Sequence, residues 1–195
     1  MATQPVPHYT PEEYFEIDRD SECGNEYIDG IIVPMVAATP WHCLISLNTG
    51  RAFGSRLSKG NCRAFGSGPR IVLDRERNYA YPDMSVICGQ LEYLDAKKET
   101  VTNPKLVVEV LSPSTMNYDL GEKLRHYWAI PSMTDVLLIA QDRVWIEYWF
   151  RQPGGEWRKK LIENIEDTLR VESVDCQIPV ADFYAGVEFP ARPDL

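Results

Sequence analysis

A carboxylate stands inside an apolar run in the segment PKLVVEVLSPST, residues 104–115. The run around Glu109 is rich in Val and Leu, opens after Pro104 and ends at Ser112-Pro113, which predicts a strand that is buried on both faces. An unpaired carboxylate in such a strand costs several kcal/mol or stays protonated. Glu109 therefore needs a compensating partner, which can be a cationic side chain, a hydrogen-bond network or a metal ion.

A second carboxylate, Asp83, follows Pro82 in YPDMSVICG and stands directly before another predicted apolar strand. If this strand and the Glu109 strand are neighbours, the two carboxylates converge on one point. Carboxylate oxygens with positions left for water suit Mg²⁺ or Mn²⁺. Two simpler interpretations stay open, with Asp83 as a strand-start residue after proline and Glu109 as half of a buried salt bridge.

The sequence also offers a cation for this pair of carboxylates. Side chains alternate along a strand, so Val107, Glu109 and Leu111 are expected on one face, and the position that would suit a lysine is Leu111. The nearest downstream lysine is Lys123, in DLGEKLRHY, at the edge of that predicted helix's buried stripe. A return from strand to helix would bring its ammonium group over Glu109, whereas the alternative is an ordinary surface lysine.

The elements that must position these side chains follow from periodicity and from turn residues. Cap and turn residues predict a helix from Thr10-Pro11 to about Asp18, a hairpin turning at Asp29-Gly30, a helix opened by Thr39-Pro40 and a helix from about Tyr118 to Ile130. Apolar segments predict strands at 62–66, 70–74, 84–88, 106–111, 135–141, 143–150 and 157–163. This order predicts a single domain over residues 1–195, with its core over about 9–185, of the α/β (α+β) class around one mixed β-sheet flanked by helices.

Composition and charge limit the classes of partner. The 195 residues are 44% hydrophobic and 25% charged, which is ordinary for a globular protein. No run approaches the ~18 apolar residues of a membrane span, and residues 1–18 lack the pattern of a secretory signal. The net charge of −9 argues against a broad nucleic-acid-binding surface. Two basic runs, 56–63 and 157–161, are either solvated faces or local contacts to a polyanion.

The cysteines are the only indication of cellular location. All five are scattered and none forms a CxxC pair: Cys23, Cys43, Cys62, Cys88 and Cys176. This pattern favours reduced thiols in a cytoplasm and argues against a zinc site.

Several motifs together are similar to a known family. Proline-aspartate before a strand, followed by an apolar strand with an embedded glutamate, resembles the PD-(D/E)xK nuclease superfamily. More closely, NEYIDGIIVPM, YPDMSVICG, LVVEVLSPST and YDLGEKLRHY resemble the restriction-endonuclease family called Uma-two, from about Tyr9 to Phe183. The resemblance implies a restriction-endonuclease-like core and a metal-dependent endonuclease that hydrolyses the phosphodiester bonds of DNA.

The same resemblance implies a role for each of four predicted catalytic residues. Asp83 and Glu109 would hold Mg²⁺ or Mn²⁺, and Glu26, in NEYIDG, would complete or orient the metal site. Lys123 would replace the strand lysine that generic members place where this chain has Leu111.

Two other functions stay open. The acidic net charge fits a catalytically inactive interaction module on the same fold, because an acidic surface repels DNA. A metal-dependent hydrolase of a small phosphodiester would need no basic groove. A homodimer is expected, because two cuts in a duplex need two sites. His42 and Tyr127 lie close in sequence to the site elements, so two interpretations stay open: they join the shell of the site, or, as we expect, they have structural roles.

Overall fold

The computed structural model describes residues 7–35, 37–57, 60–74, 78–94, 96–112 and 119–189. Its helices are α1 (Pro11–Asp20), α2 (Pro40–Leu57), α3 (Leu124–Ala129) and α4 (Val180–Phe183). A π-helical turn, Asp119–Lys123, leads directly into α3, and Glu172–Val174 form a 3₁₀ turn. No helix among the described residues is long and apolar enough to cross a membrane.

The described strands form three sheets. In chain order they are β1 (Asn25–Ile28), β2 (Ile31–Pro34), β3 (Cys62–Gly66), β4 (Arg70–Asp74), β5 (Asn78–Ala80), β6 (Met84–Cys88), β7 (Thr100–Val101), β8 (Leu106–Leu111), β9 (Asp135–Ala140), β10 (Ile146–Arg151), β11 (Trp157–Ile162), β12 (Thr168–Val171) and β13 (Cys176–Pro179). The strand orders are β2-β1-β5-β4-β7, β11-β10-β9-β8-β6-β3 and β12-β13.

Both larger sheets mix parallel and antiparallel pairs. The pairs β4–β7 and β8–β9 are parallel, and the other pairs are antiparallel. The predicted class, mixed sheet flanked by helices, is confirmed, but the prediction of one sheet is wrong. The β1–β2 hairpin joins a separate sheet through β5, where Tyr27 lies opposite Tyr79. A strand of three residues such as β5 shows no measurable periodicity in the sequence, so its pairing could not be predicted.

Strand β8 is buried along its whole length, as predicted. Its two faces contribute to different hydrophobic clusters. Leu106, Val108 and Val110 pack with residues of α2 and α4, whereas Val107 and Leu111 pack with residues of α3. The predicted alternation is therefore confirmed, and it places Glu109 on the face that α3 covers.

One expectation about the cysteines is wrong. Cys62 in β3 and Cys88 in β6 lie directly opposite each other and form a disulfide. The two cysteines are distant in the sequence, so their pairing could not be predicted without knowing the register of β3 and β6. Of the other cysteines, Cys23 and Cys43 are exposed and Cys176 is buried.

Candidate active site

The strand pair β6–β8 brings the two predicted metal-binding carboxylates together. These strands are antiparallel, with Met84 opposite Val108, so one further step along the ladder places Asp83 level with Glu109. The backbone N–H of Val110 donates a hydrogen bond to Asp83 Oδ2 at 2.7 Å. The two strands are therefore neighbours, as the predicted convergence requires, and Asp83 is fixed by the backbone of the strand that carries Glu109.

Lys123 lies between two buried carboxylates. Its Nζ is 2.8 Å from Glu26 Oε1 and 2.9 Å from Glu109 Oε1. Only 5% of Lys123, 8% of Glu26 and 6% of Glu109 is exposed, so this is a buried cluster and not a surface ion pair. A lysine in such a place needs both partners, because desolvating an unpaired ammonium group is costly.

The local backbone explains how Lys123 reaches the strand. It ends the π-helical turn that precedes α3. Turns of this type are rare and occur mostly inside or beside helices at functional sites. Leu111 holds the position where a strand lysine would lie, and it is 1% exposed within the cluster that contains Leu124 and Tyr127.

Tyr127 makes the second contact to Glu109. Its hydroxyl group donates a hydrogen bond to Glu109 Oε1, the same oxygen that contacts Lys123. Burial raises the pKa of Tyr127 well above its ordinary value, and the Glu109 carboxylate raises it further, while the charge of Lys123 opposes both effects. The phenol therefore keeps its proton at neutral pH and remains a hydrogen-bond donor.

His42 is the side-chain partner of Asp83. Its Nε2 lies 2.8 Å from Asp83 Oδ1, and the two side chains are 18% and 13% exposed. His42 stands in the first turn of α2, where its backbone N–H donates to Thr39 Oγ1. The hydroxyl of Ser46, one turn further along α2, reaches the backbone carbonyl of Asp83 at 3.5 Å. Helix α2 thus contacts both the side chain and the backbone of Asp83.

A buried ion pair holds the segments that flank the site. Arg70 Nη1 in β4 lies 2.6 Å from Asp18 Oδ2 in α1, and the Tyr81 hydroxyl donates to the same oxygen at 2.6 Å. The backbone N–H of Asn25 donates to the other oxygen of Asp18, at 2.7 Å. Asn25 adjoins Glu26 in the sequence, and the backbone N–H of Tyr81 donates to Glu26 Oε1 at 3.3 Å. The Asp18 carboxylate in α1 therefore holds two segments in place. One is the start of β1, beside Glu26, and the other is the segment at Tyr81 that leads to Asp83.

Sequence reasoning named some of these residues and missed others. His42 and Tyr127 were expected to have structural roles, and both contact predicted site carboxylates. Asp18, Arg70 and Tyr81 carried no sequence signal of their own. Only the position of Tyr81, two residues before Asp83, could have suggested its involvement.

The donor set has the chemistry that a divalent cation prefers, although Glu26, Asp83 and Glu109 are not, among the described residues, a group whose ligand atoms all lie within 4.8 Å of one another. Glu26, Asp83 and Glu109 offer carboxylate oxygens, the ligands that Mg²⁺ and Mn²⁺ prefer. Glu26 and Glu109 carry two formal negative charges against the single positive charge of Lys123, so these three buried groups alone retain one negative charge. A divalent cation beside them would offset that charge together with the charge of Asp83.

Another group of possible ligands lies outside this set. Ligand atoms of Asp29, Glu122 and His126 all lie within 4.8 Å of one another. Asp29 is at the turn between β1 and β2, and the other two belong to the helical segment around Lys123. Asp29 and Glu122 are exposed and His126 is partly buried. This group is not the one that the motifs predicted.

One family model covers most of the chain. Residues 11–181 match the model of the family Uma2, described as putative restriction endonuclease. The chain is 35% identical to the uncharacterized protein slr1290 of Synechocystis over 189 residues, which are 95% of this chain and 96% of the relative. It is 29% identical to sll1609 of the same organism over 148 residues, covering 76% of this chain and 84% of that one.

A solved structure supports the fold. The crystal structure of a putative nuclease belonging to DUF820, from Anabaena variabilis, superimposes with a TM-score of 0.74 and covers 90% of this chain and 97% of its own. The sequence identity is 18%, so this likeness concerns the fold alone.

Proposed function

Because the chain belongs to the Uma2 family, whose description is putative restriction endonuclease, we propose that it is a metal-dependent endonuclease that hydrolyses phosphodiester bonds in DNA. The observation that carries this proposal is the placement of Lys123 between the buried carboxylates of Glu26 and Glu109, at the level of Asp83. A buried lysine between two acidic groups is a costly arrangement, and phosphoryl transfer chemistry uses both kinds of group.

Glu26, Asp83 and Glu109 would hold Mg²⁺ or Mn²⁺. The chemistry that such an ion supplies is a lowered pKa of bound water and neutralised charge on the phosphate. The side chains provide the fixed geometry. Tyr127 and Lys123 hold one oxygen of Glu109, and the Val110 amide holds one oxygen of Asp83.

Lys123 has a second role when substrate is bound. Its ammonium group stabilises negative charge that develops on the phosphate and orients the attacking water by a hydrogen bond. Because its surroundings are already packed around it, little reorganisation is needed during the reaction. His42 holds Asp83 in place from the side of α2.

A homodimer would present two sites for the two strands of a duplex. The cytoplasmic location predicted from reduced thiols loses that argument, because Cys62 and Cys88 form a disulfide, a bond that is rare in reducing compartments.

The proposal is tested by cleavage of supercoiled plasmid and circular single-stranded DNA with Mg²⁺, with Mn²⁺ and with EDTA. Turnover of bis(4-nitrophenyl) phosphate is measured in parallel. We expect cleavage of DNA that needs metal and is lost in Glu109→Gln. Turnover of the small phosphodiester alone would assign a small-molecule hydrolase. Protein that binds metal but turns over neither substrate would assign an inactive interaction module.

A further inference from the structure

The hairpin β10–β11 carries one of the two basic runs of the chain. Its two strands carry four basic side chains, Arg151, Arg158, Lys159 and Lys160, and one acidic side chain, Glu147, which is a net charge of 4 − 1 = +3. The whole chain has a net charge of −9. All four basic residues are exposed, so this surface is chemically distinct from the acidic remainder.

One face of this hairpin is continuous with the face that carries Glu109. Strand register places Glu109 opposite Leu138, and Leu138 opposite Glu147, along a single row across β8, β9 and β10. At about 4.8 Å per strand, β10 lies about 10 Å and β11 about 14 Å from Glu109.

On this shared face, basic and aromatic side chains alternate. Trp149 lies opposite Lys159, and Arg151 lies opposite Trp157. Arg158 and Lys160 point to the other face of the same edge strand. The ammonium group of Lys159 also pairs with Glu147 at 2.8 Å and lies 5.4 Å from the ring centroid of Trp149.

The tryptophans form a stack that ends in a partly exposed ring. Trp128 of α3 is stacked with Trp157, with 5.8 Å between ring centroids, and contacts Trp149 at 4.8 Å. Trp128 is the central ring of this group, with Trp149 tilted against it and Trp157 stacked on it, and the ammonium group of Lys159 lies over Trp149. A base could extend this stack on the outer side of Trp157.

We propose that the face of β10–β11 formed by Arg151, Trp157 and Lys159 binds a single-stranded stretch of DNA that flanks the phosphate to be cleaved. Basic groups that follow the backbone, combined with aromatic rings on which bases stack, are the composition of single-strand binding surfaces. The surface also explains how an acidic chain can hold a polyanion at all. This inference rests on the proposed function and names the substrate class for it.

The test is fluorescence anisotropy with a labelled 24-nucleotide single strand and the matching duplex, in EDTA so that no cleavage occurs. The logarithm of the binding constant is followed against the logarithm of the salt concentration. We expect the single strand to bind more tightly than the duplex. In Arg151→Gln/Lys159→Gln the slope should fall by about 1.4, since each phosphate contact to a single strand contributes about 0.7.

A matched control changes the same charge on the same hairpin. Arg158→Gln/Lys160→Gln removes two basic groups from the opposite face and should leave the slope unchanged. Equal slopes for the two double variants, or no binding of the single strand by the wild-type chain at low salt, would overturn the proposal. Arg151→Gln alone, at an exposed position, repeats the measurement if circular dichroism shows that the double variant is not folded.

Trp157→Leu supplies a readout of stacking. This variant should lose the quenching of tryptophan fluorescence by the single strand, whereas Trp145→Leu, at the other end of β10, should keep it. If the wild type cuts DNA but Arg151→Gln/Lys159→Gln has the wild-type salt slope, this inference is wrong and the proposed function is unaffected. If the single strand binds through the hairpin but the protein cuts no DNA, the inference stands and the proposed function is wrong.

Discussion

Lys123 and Glu109 form an ion pair with 2.9 Å between Nζ and Oε1, although one residue ends a π-helical turn and the other lies in the middle of a buried strand. This pair answers the question that the strand sequence raises, because it supplies the compensation that a buried carboxylate needs. Glu26 shares the same ammonium group. Glu109 is therefore half of a buried salt bridge, as the simpler interpretation of this residue predicted. The interpretation of Lys123 as a surface lysine is wrong, because Lys123 is buried.

Lys123→Met should separate the structural role of the ammonium group from its chemical role. Removing it leaves Glu26 and Glu109 without their shared cation, so we expect the free energy of unfolding in EDTA to fall by about 3–5 kcal/mol. Cleavage should fall on the order of 10²–10³-fold, the usual cost of removing one preorganised charge. Denaturant unfolding with and without Mg²⁺ and a single-turnover cleavage assay give both quantities.

Metal serves as the control for this variant. Because a divalent cation offsets the same carboxylates, Mg²⁺ should raise the melting temperature of Lys123→Met more than that of the wild type. Wild-type cleavage rates in Lys123→Met would end the assignment of this lysine.

Asp83 can be tested with two substitutions that differ in one hydrogen bond. Asp83→Ala leaves the Val110 N–H without its acceptor and should cost about 1–3 kcal/mol of stability. Asp83→Asn can still accept that hydrogen bond and should cost less. Both should abolish metal-dependent cleavage, since neither keeps the carboxylate. Equal stability of the two variants in urea unfolding would show that the contact to Val110 contributes nothing.

The ion pair between Asp18 and Arg70 should matter although neither residue touches the predicted metal ligands. Arg70→Met leaves a buried carboxylate without its cation, and we expect a loss of about 3–5 kcal/mol. Arg56→Met breaks an exposed pair with Asp182 and should cost about 0–1 kcal/mol, so it is the matched control. Guanidinium-induced unfolding measures the stability of both variants. Similar unfolding midpoints for Arg70→Met and Arg56→Met would show that the pair of Asp18 and Arg70 does not anchor the fold.

The local parts of this fold could be predicted from sequence because they depend on neighbouring residues. Thr10 and Glu13 form the capping box that begins α1, and Asp29 and Gly30 adopt the positive φ angles that the hairpin turn requires. The alternation of Glu109 with its neighbours likewise follows from strand geometry alone.

What could not be predicted depends on contacts between distant segments. Asp18 and Arg70 meet only because α1 packs near β4, and Cys62 meets Cys88 only through strand register. The short strand β5 has too few residues to show a pattern, so the separate sheet that it joins to the β1–β2 hairpin could not be predicted. For the site, the residue types and order indicated that Lys123 meets Glu109, and the structure adds Glu26 to that pair. The bonds that fix Glu26 and Asp83 came from the backbone of Tyr81 and Val110.

Alkaline pH should destabilise the folded chain through its buried tyrosines. Burial, and then the charge of Asp135, raises the pKa of Tyr148, whose hydroxyl donates to Asp135 at 2.6 Å. In the unfolded chain this group loses its proton near pH 10, while the folded chain keeps it, so the stability is fully present below about pH 10 and is lost as the pH rises further.

Tyr148→Phe removes this one contribution. As the pH rises above 10, the free energy of unfolding of Tyr148→Phe should fall less steeply than that of the wild type, by up to about 1.4 kcal/mol per pH unit. The comparison uses urea unfolding at pH 8 and pH 10.5, with each protein referred to its own stability at pH 8. The same decline in both proteins would show that Tyr148 does not keep its proton in the folded state.

The central claim is that the carboxylates around Lys123 hold the divalent cation. Calorimetric titration of Mn²⁺ into the wild type, Glu109→Gln and Glu122→Gln tests it most directly, because Glu122 belongs to the other group of possible ligands. We predict that Glu109→Gln loses the binding heat while its circular dichroism spectrum stays that of the wild type, and that Glu122→Gln binds as the wild type does. Undiminished binding in Glu109→Gln, with loss in Glu122→Gln, would contradict the account and place the metal beside Asp29 and His126.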